Sequence, residues 1–358
     1  MKTFTSMAAG TCAAALLLAW SPIADNLRFA PEVGSAASKT FTSSMSLELD
    51  DLSVLVDGEN VLEMFGVPEF SMTAESSIAV VDEYAGMGTG RPTKLSRLYE
   101  ALSTKSTVDV SMAGEGESQS DETGSELAGK RVVFSWDEGA GVYNVAWAPD
   151  HSGEAALLDG LEEDMDLRGL LPAGEVAEGD TWEIPTDALK AMSMPGGDLG
   201  WEMDAEVDAE MEGAMREAMT SLFGDAFGDN LTGTRTATFK GMREVDGTKV
   251  GVIALELDLE LALDLAEMIQ KLLRENGDMP EEVDLQLSVA SMSAAITMEG
   301  ELLWNMSQGL VHAMTLEGDF TASVEVEASV EAMGESTDFS ASAEISGTQS
   351  MKVAAEKQ

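Results

Sequence analysis

The chain has 358 residues, 44% of them apolar, and carries 66 acidic against 20 basic side chains, a formal net charge of −46. Enough apolar material is present to fill a sizeable core, so disorder along the whole chain is excluded. A field this negative repels phosphate, which excludes nucleic acid and anionic headgroups as partners unless bases are segregated on one patch.

Lys2 precedes an apolar run from Met7 to Trp20, and Asp25 ends it. That run is too short to cross a hydrocarbon core of ~30 Å comfortably, and it fits the apolar region of a signal peptide. Residues 1–24 are therefore expected to be a signal peptide cleaved after Ala24, although Pro22 is unusual at its place and an uncleaved anchor stays open. The expectation is an exported protein, periplasmic, cell-envelope or extracellular. Cys12, the one cysteine, lies inside the run, so the mature chain is left without thiol or disulfide chemistry.

From Leu27 onward the dominant period is two. Phe41, Met45, Leu47 and Leu49 alternate with Thr42, Ser44, Ser46 and Glu48. Leu257, Leu259, Leu261 and Leu263 alternate with Asp258, Glu260 and Asp264, and Val324, Val326, Ala328 and Val330 with Glu325, Glu327, Ser329 and Glu331. Such strands are dry on one face and wet on the other, the pattern of antiparallel sheets covered on one side. Several run far beyond the usual five or six residues, interrupted only by Gly300 or Gly318, which are expected to be bends or bulges. Asp246-Gly247 and Ser307-Gln308-Gly309 mark hairpins.

Helical spacing is rarer. Residues 92–102 place Leu95, Leu98, Tyr99 and Leu102 on one stripe behind Pro92. Ala155 to Leu170 reads as a second helix; Asp208 to Phe223 as a third, with Met211, Met215 and Met219 in line. Residues 265–276 read as a fourth, carrying Met268, Ile269, Leu272 and Leu273. Gly114 to Gly129 reads as a polar loop or hairpin tip, and Lys352 to Gln358 as a frayed tail. Three parts follow: a β-rich half at 27–148 with helix 92–102, a helical and loop-rich connector at 150–230, and a second β-rich half at 231–355 with helix 265–276. Both halves read ββαβββ, which suggests an internal duplication. The fold class is α+β, mainly β, with long coiled antiparallel strands in one or two half-barrel-like sheets closed by a few helices. Phe41, Leu47, Trp136, Trp147, Leu257, Leu261, Leu272, Trp304 and Phe320 are the expected core.

Chemistry-bearing motifs are scarce. His151 and His312 stand alone, with no G-x-S-x-G elbow beside either, so no nucleophilic triad is indicated. Two isolated histidines and no mature cysteine do not make a zinc site. Met211, Met215 and Met219, with Met192 and Met194 nearby in sequence, could hold copper(I), but the same spacing describes a core stripe. Asp225, Asp229 and Asn230 miss the calcium-loop spacing. Catalytic residues, metal and cofactor are accordingly none. The one basic cluster, Arg91, Lys94 and Arg97 with Lys105, follows Gly86, Gly88 and Gly90 and opens the expected helix 92–102; it is the candidate anion-binding site. Its plainer reading is a set of bases that offset neighbouring acids and pack their stems on the sheet.

Leu171-Pro172, Val176 and Gly179-Asp180-Thr181-Trp182 resemble a leucine-proline…glycine-aspartate-x-tryptophan signature of uncharacterised exported bacterial families, and Met298 to Gly318 looks like the later part of the same pattern. The resemblance covers residues 130–330 and implies no activity. In architecture, long strands wrapping a few helices are similar to periplasmic lipoprotein-carrier half-barrels, an analogy of fold alone. Two functions lead: a non-enzymatic envelope or periplasmic protein binding a hydrophobic small molecule or lipid, held between one-sided strands and methionine-bearing helices; or a structural and interaction protein of the cell surface with a cation-attracting exterior; the third, an enzyme, would have to work through carboxylates that the sequence does not single out.

Overall fold

The computed structural model describes residues 26–62, 66–112, 115–201, 230–266, 269, 283–332 and 335–358. Its strands are β1 (Ala36–Val56), β2 (Glu59–Asn60), β3 (Glu69–Met87), β4 (Pro92–Met112), β5 (Glu115–Gly124), β6 (Arg131–Asp137), β7 (Val142–Trp147), β8 (Thr181–Glu183), β9 (Leu231–Val245), β10 (Thr248–Asp264), β11 (Val283–Asn305), β12 (Leu310–Ala332) and β13 (Glu335–Lys357). Among the described residues one α-helix is seen whole, α1 (Thr186–Ser193), which follows Pro185 and buries Ala188, Leu189 and Met192.

All thirteen strands belong to one sheet that does not close. Its order is β7-β6-β4-β3-β1-β13-β12-β11-β10-β9-β8, with β2 added to β1 and β5 to β4. The first and last long strands, β1 and β13, pair antiparallel at its middle, from Ala37↔Lys357 to Val56↔Phe339. The chain therefore winds outward from the centre to β7, must reach the far edge at β8, and winds back. Residues 148–180 make that transit across the apolar face: Leu161, Met165, Leu167, Leu170 and Val176 join one core with Phe41, Tyr84, Phe134 and Phe239.

The two-residue period predicts these strands, and β10 shows why. Leu255, Leu257, Leu259, Leu261 and Leu263 are buried on one face while Glu256, Asp258, Glu260 and Asp264 are exposed on the other. Asp246 and Gly247 take φ of 49° and 79°, both left-handed, as a two-residue hairpin between right-twisted strands requires. On the acidic face Glu256, Glu299 and Glu317 stand directly opposite one another across three strands. Like charges in that position repel. Glu299→Gln is expected to raise Tm by about a degree or two at low ionic strength, and the gain is expected to shrink in molar salt, read by scanning calorimetry at both.

Several expectations are corrected. Residues 92–102 form the start of β4, not a helix. Their helix-like spacing arises because the register slips where Ala79 faces Ala101 and Val80 faces Tyr99, so the inward set runs Leu95, Arg97, Tyr99 and then Leu102. An even strand carrying one bulge mimics a three-residue step. Residues 92–102 therefore do not supply the helix that the ββαβββ repeat requires in the first half. Ala155 to Leu170 holds only two short 3-10 turns, Ala155–Leu158 and Arg168–Leu170. The loop expected at 114–129 is largely β5, whose exposed acids blunt a sheet edge. The expected frayed tail is the end of β13, where Val353 is buried against Phe41.

Gly300 and Gly318 sit at no bulge; the register shifts fall at Leu287/Val289 and Leu303/Trp304. A Cβ on either glycine would lie within 2 Å of a carbonyl oxygen of the neighbouring strand, Thr315 and Thr297 respectively, so glycine lets the backbones approach. Of the expected core, Phe41, Leu257, Leu261 and Trp304 are buried, whereas Leu47, Trp136, Trp147 and Phe320 are half-buried. Residues 1–24, the helix expected at 208–223 with its methionine stripe, Asp225, Asp229, and most of 265–276 with Leu272 lie outside the described residues. Among the described residues no helix is long and apolar enough to cross a membrane.

Candidate functional site

Two features stand where the crossing segment meets the sheet. The first is a cluster of buried charge. Lys39 on β1, Asp82 and Tyr84 on β3, and Arg97 on β4 occupy positions in phase with apolar neighbours, so the pleat turns all four toward the covered face. Asp166 meets them from the crossing segment. Lys39, Asp82, Arg97 and Asp166 are each 0% exposed.

A buried charge survives only when paired and hydrogen-bonded, and these are. Lys39 Nζ lies 2.8 Å from Asp82 Oδ2 and 2.6 Å from Asp166 Oδ1. Arg97 grips Asp82 in a fork, Nε to Oδ1 at 2.7 Å and Nη2 to Oδ2 at 2.9 Å. Its remaining donors reach the main chain of the crossing segment, Nη1 to the Glu162 carbonyl at 3.0 Å and Nη2 to that of Glu163 at 2.8 Å. Tyr84 Oη donates to Asp166 Oδ1 at 2.7 Å. Beside them Arg168 pairs with Glu163 at 2.5 Å and with Asp164 at 3.1 Å, its guanidinium lying 4.9 Å from the Phe29 ring centre.

The electrostatics follow from burial and pairing. Burial pushes the Asp82 carboxyl up, but Arg97 and Lys39 outweigh it and hold it down at about 2. Burial would lower Lys39, yet Asp166 and Asp82 raise it. Glu163 goes the other way: burial lifts its carboxyl to about 7 against the pull of Arg168. One of its oxygens, Oε1, is buried and makes no hydrogen bond. Burial also raises Tyr84, with Asp166 adding to the effect. The cluster ties residues 162–168 to three strands at once.

The second feature is a cavity of about 130 Å³. Phe41, Ile78 and Met351 form its sheet wall; Met194, Leu199 and Trp201 form the wall contributed by the segment after α1. Ser125 holds that segment down, donating to the Leu199 carbonyl, while its neighbour Trp201 bridges back to Ser125. Below the cavity the same face continues through Met45, Ala74, Leu47 and Met72 as a half-buried strip.

Of the basic residues the sequence singles out, Arg97 belongs to the buried cluster. Arg91 is exposed, its guanidinium 4.2 Å over the Trp136 ring, and Lys94 is exposed on the opposite face of β4 from Arg97. Lys105 stands on the acidic face between Glu75 and Glu122 in register. The structure does not bring Arg91, Lys94 and Arg97 together, because a strand separates by face what a helix would have grouped. Lys39, Asp82, Tyr84, Glu163, Asp166 and Arg168 carry no motif. The signal that could have found some of them is a charged residue in phase with apolar ones, as in Ala37-x-Lys39-x-Phe41 and Val80-x-Asp82-x-Tyr84. Trp182 is the anchor the glycine-aspartate turn leads into: Gly179 has φ 95°, Asp180 accepts from the Ala177 amide, and the indole donates to the Leu170 carbonyl at 3.1 Å.

No protein-family model and no curated protein matches the chain. Among solved structures, an outer membrane channel from Pseudomonas putida F1 is similar at 10% identity over 91% of this chain and 97% of that one, with a TM-score of 0.17. OccK7 (OpdD) of Pseudomonas aeruginosa follows at 6% identity, 90% and 100% coverage and a TM-score of 0.15. The outer membrane protease OmpT from Escherichia coli follows at 8%, 92% and 98%, with 0.09. Scores this low carry no argument about this chain, which rests on its own antiparallel sheet, buried charges and apolar cavity.

Proposed function

We propose that this is an exported, non-enzymatic protein of the cell envelope that binds an amphiphile by its apolar end. The observation that carries the reading is the cavity between Phe41, Ile78 and Met351 on one side and Met194, Leu199 and Trp201 on the other, on a sheet face that continues as a half-buried apolar strip. At about 130 Å³ it is close to the ~150 Å³ cavity that takes up benzene in an engineered core. It therefore suits a chain end or a ring and leaves the rest of the ligand along the strip. Methionines in its wall adapt to ligands of differing shape.

Native mass spectrometry of the processed protein, isolated without detergent, is expected to show a small-molecule adduct, and N-phenylnaphthylamine is expected to brighten on mixing. Ser43→Leu fills the cavity from β1 and is expected to weaken uptake about tenfold or more with Tm unchanged or raised. A protein that arrives empty and leaves the dye dark would end the reading.

The exposed carboxylate rows favour a second reading, a surface protein that meets cation-rich surroundings through its acidic face. Loss of self-repulsion in divalent salt without any ligand adduct would select it over the first.

A further inference from the structure

We infer that the bound amphiphile has an uncharged or cationic polar end and that anionic amphiphiles are rejected; the inference rests on the binding reading above. Among the described residues Asp198 is the one ionisable residue lining the cavity, and it is exposed at the rim. The other polar side chains among the lining residues are the hydroxyls of Thr42, Ser43, Ser76 and Ser193. A carboxylate or phosphate held at this mouth would need a base.

The buried bases of the apolar face, Lys39 and Arg97, are committed elsewhere, and Lys190, one helical turn before Met194, does not line the cavity. Lys39, two residues before Phe41, sits between Asp82 and Asp166. Arg97 spends Nε, Nη1 and Nη2 on Asp82 and two main-chain carbonyls. An anionic head that took either base would strip a buried carboxylate of its partner. Beyond the mouth the chain's net charge of −46 opposes anions again. A cationic head meets the reverse: Asp198 at the rim and a favourable field. A hydroxyl or ester head needs only the serines. The chemistry thus selects charge at the polar end, while the cavity selects size at the apolar end.

Four probes of matched chain separate the possibilities: dodecanol, dodecyltrimethylammonium, dodecanoate and dodecyl phosphate, each displacing N-phenylnaphthylamine from the processed protein below its micelle concentration. The alcohol and the ammonium are expected to displace, and the two anions to do so at least about tenfold less well, with the gap narrowing in high salt. Asp198→Asn keeps the oxygen that accepts the Gly200 amide, and it is expected to weaken only the ammonium probe, by about two- to fivefold. Anions that bind as well as the alcohol would overturn the inference and leave the binding reading intact. An ammonium affinity that Asp198→Asn does not alter would remove Asp198 as its cause. Failure of all four probes would overturn the binding reading itself.

Discussion

Asp82→Ala is expected to destabilise the protein by about 3–5 kcal/mol. The carboxylate is the common partner of Lys39 and Arg97, and both bases are wholly buried. Removing it leaves Arg97 with two main-chain carbonyls and no counter-charge, and leaves Lys39 with Asp166 alone. A buried base without a partner has only poor options: stay charged in a low-dielectric site, lose its proton, or open the structure to water. Opening is the cheapest for a segment held across a sheet, so the loss is expected to fall first on residues 161–171. Two controls give the prediction its edge. Glu162 contributes only its main-chain carbonyl to Arg97 and its side chain is exposed, so Glu162→Ala is expected to change stability by less than about 0.5 kcal/mol. Removing charge in balance, as Lys39→Met with Asp166→Leu, is expected to cost less than Asp82→Ala, since no unpaired ion remains. Urea denaturation midpoints for the three variants check the order; equal midpoints for Asp82→Ala and the native chain would remove the cluster as the fastening.

Glu163 is expected to make stability fall as pH rises through neutrality. Burial lifts its carboxyl to about 7, well above its ordinary value near 4.5. A raised folded-state value means the folded protein holds the proton more tightly than the unfolded chain. Stability from that proton is complete below about 4.5 and is lost as pH climbs through about 7. The difference corresponds to roughly 3 kcal/mol across that window. Asp82 acts in the opposite sense. Arg97 and Lys39 hold it at about 2, so its contribution is present above its unfolded value near 3.8 and is lost as pH falls through about 2. These two groups alone place the stability maximum between about 4 and 5. Glu163→Gln removes the first slope and retains a group that Arg168 and the segment can pack against. Its denaturation free energy is expected to be flat between pH 5 and 8 in that respect, whereas the native chain declines. A native chain with no decline over that range would show that Glu163 is ionised throughout. Hydrogen exchange at residues 161–171, measured over the same range, reads whether the segment itself loosens.

The extended strands and their two faces were legible before any coordinates, because a period of two is a local property: each Leu of β10 has an Asp or Glu beside it whatever lies opposite. The hairpin at Asp246-Gly247 was legible for the same reason, since left-handed φ is demanded by the turn alone. The strand β4 has helical spacing in the sequence because one register slip changes which residues face inward, and slips are set by the partner strand. Arg97 stands out in the sequence as a base but its role does not, since nothing within residues 91–105 reveals that Asp82 stands beside it or that Asp166 lies over Lys39. The wall of the cavity illustrates the same limit: Phe41, Met351 and Leu199 are far apart along the chain and meet only because β1 pairs with β13 and the segment after α1 folds back over them.

What the sequence determined by itself is therefore the character of each strand, its length, its dry side and its wet side, and a strongly negative net charge. Which strands would be neighbours, which charges would be sealed together, and where an opening would remain were decided by the tertiary structure. The physical reason is that alternation and turn chemistry act over a few residues, while pairing register and burial join segments as far apart as Ala37 and Lys357.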